Sequence, residues 1–127
     1  MKPNIVLTAS AVYLALVGLG FIFAPDAMLF GGMGAATVTV VAALRGFGAT
    51  LFGIGILNWV ARNADASKAR DAIFLGNTIG FVLTTITIVL GQVGGAPPPG
   101  WVFAVINGLF AVAFFVVGKA SMSTGAK

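Results

Sequence analysis

The chain has 127 residues, of which 59% are hydrophobic and 8% charged, with a net charge of +4. A soluble domain carries about a quarter charged residues to face water, so this composition calls for lipid as its solvent. The absence of cysteine, histidine and glutamate excludes disulfides, Cys/His metal centres, haem ligation by histidine, and Ser-His-Asp or Cys-His catalysis. No cofactor and no metal is expected.

The first apolar stretch runs over about 5–24. At about 1.5 Å per residue it covers roughly 30 Å, the hydrocarbon thickness of a bilayer. A signal peptide is the competing reading, but the run is longer than a signal core, and Pro25-Asp26 stands where a small-residue cleavage site belongs. These two residues stop the first helix. The segment Ala27 to Thr37, with Gly31, Gly32, Met33 and Gly34 at its centre, reads as a loop or short interfacial helix.

The second span, about 38–61, holds Arg45 and a dense set of small residues that includes Gly46 and Gly53. In a membrane such residues let helix backbones approach closely. Trp59 and Arg62 mark its exit. A polar segment follows, in which Asp65 is expected to cap a helical turn ahead of the third span at about 72–93. That span carries Gly76 and Gly80 at helical spacing, so the second and third spans are expected to pack along their glycine faces. Gly94 to Gly100, with three consecutive prolines, makes an uncharged turn before the fourth span at about 101–118. The tail to Lys127 is polar and is expected to be mobile.

The fold class implied is all-α: one integral membrane four-helix bundle. Lys2, Arg62, Lys68, Arg70, Lys119 and Lys127 fall on the side that would hold both termini and the middle loop, and the other two loops carry no lysine or arginine. The positive-inside rule then makes both termini cytoplasmic. The expected location is the inner membrane of a bacterium, as a multi-pass protein. The spans show no convincing internal repeat, so an inverted-repeat transporter gains no support.

Buried polar residues are the candidate sites. Arg45 lies seven residues inside the second span, roughly 10 Å from its start. An arginine at that depth normally faces a bundle interior, a water cavity or a partner. It is expected to contact Asp26, Asn107 or an anion, either as a structural anchor or as a headgroup site. Asn107, Gln92 and Thr87 could share an outer polar layer with it. Asn58 and Asn77 match in depth and are expected to form a structural amide pair, and mid-membrane Tyr13 needs one hydrogen-bond partner.

The run Leu44-Arg45-Gly46-Phe47-Gly48-Ala49-Thr50-Leu51-Phe52-Gly53-Ile54-Gly55, followed by Trp59 and a short charged loop, resembles small bacterial four-helix membrane proteins of the DoxX type. The resemblance implies an inner-membrane four-helix bundle in which Arg45 matters, and it brings no catalytic residue.

The function expected first is non-enzymatic: an accessory or assembly subunit that docks to a larger membrane complex, or to further copies of itself, through small-residue helix faces. Membrane lipids are the other expected partners, and nucleic acid is not. The alternatives are a binder or carrier of a lipid or apolar anion through Arg45, and a small transporter or channel. Small multidrug transporters use a glutamate in the first span, which is absent here. Asn77-x-x-Gly80-Phe81 resembles the pore helices of fluoride channels, but those insert in both orientations, against the one-sided charge. An enzyme is not expected, because Arg45, Asp26 and Tyr13 do not combine a nucleophile with an acid–base pair.

Overall fold

The computed structural model describes residues 1–122, so the polar tail to Lys127 lies outside the described residues. The described chain is all-helical: α1 (Pro3–Phe23), α2 (Pro25–Met28), α3 (Val38–Ala61), α4 (Lys68–Val93) and α5 (Gly100–Ala120). The four long helices are each long and apolar enough to cross a membrane.

Local chemistry sets their ends. Pro3 and Pro25 open α1 and α2, where a missing N–H costs nothing. The Thr37 hydroxyl accepts from the Val40 N–H at 3.3 Å and caps α3. Ser67, not Asp65, caps α4 by accepting from the Arg70 N–H at 3.2 Å. Because that hydroxyl is placed at the N-cap, α4 begins at Lys68 and takes the charged residues up to Asp71 into its first turn. The proline turn closes with Gly100 and Trp101 donating to the carbonyls of Pro97 and Pro98, and α5 starts there.

Helices adjacent in sequence pair antiparallel: α3 lies along α1, and α5 along α4. A Cβ added to Gly18 would stand 2.6 Å from the Gly48 carbonyl oxygen, and one on Gly55 would stand 3.0 Å from that of Ala11. The α1 and α3 backbones therefore touch where only glycine fits. The second pair packs through Phe74 and Phe114, whose rings meet edge-on at 5.3 Å, and Phe74 also fills the space against Gly118. Phe114 and Leu7 are completely buried.

This pairing corrects the expectation for Gly46, Gly53, Gly76 and Gly80. A Cβ on any of the four would meet nothing within 4 Å, and α3 and α4 are not packed along each other. Gly48 and Gly55 lie about 200° around α3 from Gly46 and Gly53, at about 100° per residue, and it is this second pair that faces α1. On α4, Phe74, Asn77 and Phe81 take the buried face, which leaves Gly76 and Gly80 beside open space.

Among the described residues, the start of α1, the α3–α4 loop and the end of α5 share one end of the molecule, here the terminal end. There Lys2, Arg62 and Arg70 border one shallow surface pocket. Arg70 joins the α3–α4 loop to the end of α5 by donating to the Ala64 carbonyl at 3.2 Å and the Ser121 carbonyl at 2.7 Å. The Arg62 guanidinium lies 3.9 Å above the Trp59 ring. The opposite, loop end carries α2 and the proline turn.

Candidate functional site

Because the two helix pairs separate between α3 and α4, they leave between them an open-sided cavity of about 800 Å³. That lies within the size range of small-molecule sites. All four long helices line it, and none of the lining residues is charged.

In the terminal half of the cavity a polar lock joins α3 to α4, and Ala72 and Ile73 line the space beyond it. Asn58 Nδ2 donates to Asn77 Oδ1 at 2.9 Å, and Asn77 Nδ2 returns the bond to Asn58 Oδ1 at 2.9 Å. Asn58 also donates to Ser10 Oγ at 3.0 Å, and the Ser10 hydroxyl donates to the Leu7 carbonyl at 3.0 Å. Asn58 and Ser10 are fully buried, and this network leaves neither amide with an unmet bond.

An aromatic column forms the back wall. The Tyr13 ring stacks on Phe110 at 5.3 Å, Phe110 on Phe81 at 5.0 Å, and Phe81 on Phe114 at 5.7 Å. The column fixes the direction of the Tyr13 hydroxyl, which accepts a 2.9 Å hydrogen bond from Asn107 Nδ2.

The roof is at the loop end. Phe30, in the left-handed region at φ 55°, packs its ring 5.9 Å from that of Phe103. Gly32 sits under Pro97. Gln92 and Gly100 line the space directly beneath. The front is the glycine face of α4, where Gly76 and Gly80 border the cavity with no neighbour opposite.

The polar residues singled out by sequence therefore divide. Asn107 and Gln92 line the cavity, together with Thr84 and Thr87. Arg45 does not: it is exposed on α3, and among the described residues it has no hydrogen bond or ion pair. The expected contacts of Arg45 with Asp26 and Asn107 are not made. Asn107 points inward to Tyr13 and the Phe103 carbonyl, while Arg45 projects from the flank of α3 away from the cavity lining. Asp26 is exposed in the first turn of α2, and its carboxylate has no partner among the described residues.

Sequence reasoning missed the cavity, since no single span records the separation of the two helix pairs. The apolar residues Met28, Leu29 and Phe30 leave two places open by sequence, the membrane surface or the bundle, and the structure sets them against the bundle, where they contribute to the roof.

No protein-family model, no curated protein and no solved structure matches the chain.

Proposed function

We propose that this chain is a multi-pass protein of a bacterial inner membrane, with both termini cytoplasmic, that binds a neutral apolar amphiphile drawn from the bilayer and does no chemistry on it. The observation that carries this reading is the uncharged cavity between the helix pairs, bordered on its α3–α4 side by the small-residue face of α4. With lipid around the helices, that gap admits a molecule sideways from the acyl layer. An anion is disfavoured because the lining offers no cation and Arg45 lies off it. The orientation rests on the one-sided placement of lysine and arginine.

Native mass spectrometry from a mild detergent tests the binding reading. The expected result is a non-covalent neutral lipid on the native chain and much less on a Gly80→Phe variant, whose ring enters the mouth. A chain that carries no lipid and takes up none when neutral lipids are added overturns it.

A second reading, docking on a partner subunit, is favoured by Arg45. An exposed, unpartnered guanidinium in a membrane-crossing helix is costly, and Gly46 and Gly53 leave room for close approach on α3. The partner would carry a carboxylate at matching depth. Loss of a co-purifying membrane subunit on Arg45→Leu supports this, and an unchanged set of subunits removes it.

A further inference from the structure

We infer that the molecule held in the cavity is an uncharged lipid alcohol, bound by its hydroxyl between Tyr13 and Asn107. This rests on the reading of the cavity as a lipid site and names the chemical class.

The argument is a donor and acceptor count at one point of the wall. Asn107 is 5% exposed, and its amide nitrogen donates to the Phe103 carbonyl at 2.7 Å and to Tyr13 Oη at 2.9 Å. A backbone carbonyl only accepts, so the atom facing Phe103 must be the nitrogen, and the amide orientation is fixed. Both amide protons are thus committed. Asn107 Oδ1 accepts no hydrogen bond among the described residues. Tyr13 Oη accepts from Asn107, but its own proton is donated to no described residue. The wall therefore presents one unused donor beside one unused acceptor, on residues that both line the cavity.

A hydroxyl is the small neutral group that matches both, accepting from Tyr13 and donating to Asn107 Oδ1. A ketone, ester or quinone oxygen satisfies only Tyr13 and leaves Asn107 Oδ1 empty in an apolar site. A carboxylate would set its charge beside that lone acceptor with no cation in the lining, and a carboxylic acid fits only while protonated. A hydrocarbon satisfies neither group. Leu14, Val17, Leu51 and Ile54 supply the apolar wall for the chain that carries the hydroxyl.

Three probes of equal chain length separate the cases: 1-hexadecanol, hexadecane and palmitate at pH 8, each titrated into the purified full chain in detergent. The native protein is expected to bind hexadecanol about tenfold more tightly than hexadecane, and palmitate more weakly than hexadecanol. Tyr13→Phe combined with Asn107→Leu retains the ring stack and removes both polar partners of the hydroxyl, so the ratio of alcohol to hydrocarbon affinity should fall to within about threefold of unity. Equal affinity of the native protein for hexadecanol and hexadecane overturns the inference and leaves the cavity reading standing. So does tighter binding of palmitate, or a Tyr13→Phe, Asn107→Leu double variant that retains the alcohol preference. Binding of none of the three overturns the cavity reading itself. The comparison of probes on the native chain decides the matter even if the double variant does not fold.

Discussion

Asn58 and Asn77 exchange two hydrogen bonds of 2.9 Å across the line where α3 and α4 would otherwise part. With α1 and α3 on one side and α4 and α5 on the other, this amide pair holds the two halves together at the terminal end. The halves also meet through the Tyr13–Asn107 bond, through the Tyr13 ring against Phe81 and Phe110, and through Phe30 against Phe103 at the loop end, while Arg70 ties α4 to the Ala64 carbonyl of the α3–α4 loop.

Removing one amide should therefore cost more than removing both. Asn58→Leu strands the Asn77 amide in an apolar site, at about 1–3 kcal/mol for a buried unsatisfied group. The double change Asn58→Leu with Asn77→Leu leaves no such group there, and should recover part of that loss. A double-mutant cycle on unfolding in detergent checks this. Strictly additive losses would count against the lock.

The glycines should sort by which face of the helix they occupy. Gly48→Leu and Gly18→Leu push a side chain into the opposing backbone and should abolish a stable fold or lower its melting temperature sharply. Gly53→Leu and Gly46→Leu enter open space and should leave stability nearly unchanged. Thermal unfolding of the four variants in one detergent decides it, and equal sensitivity of both sets would contradict the observed pairing of α3 with α1.

Phe114 is wholly buried among Phe74, Phe81 and Phe110. Phe114→Ala should cost about 3–5 kcal/mol, the usual range for an aromatic side chain removed from a packed core. Phe115→Ala, on the neighbouring exposed position, should cost far less. Denaturant titration of the two variants measures the difference.

The proposed orientation gives a direct check. A C-terminal alkaline phosphatase fusion should be inactive and a C-terminal green fluorescent protein fusion bright. The reverse pattern would place the termini outside.

Much of the layout was legible because it is one-dimensional. Bilayer-length apolar runs and their proline and glycine breaks locate the four long helices to within a few residues, and matched depth with the short loop between α3 and α4 brings Asn58 to Asn77. The pairing of the helices was not legible, for a physical reason visible on α3. Gly46 and Gly53 are seven residues apart, and so are Gly48 and Gly55, giving two equivalent stripes on opposite faces. Which one meets a neighbour depends on the other helices. Arg45 misled in the same way. Its position in the sequence gives its depth, but its azimuth around α3, which sets what it can touch, follows from which stripe faces α1. Tyr13 needs a partner by its chemistry, and the structure supplies Asn107, a residue that depth places in a layer with Arg45.

The pairing of α1 with α3 and of α4 with α5 also bears on how the molecule is made. Each pair is a hairpin of sequence neighbours, so its contacts are local and its closure requires no distant segment of the chain. During synthesis the first hairpin can bring Gly18 against Gly48 before the second has left the ribosome. The second can then close on its own phenylalanines. The amide pair forms only when both hairpins are present, so the cavity is the last part of the protein to come into being.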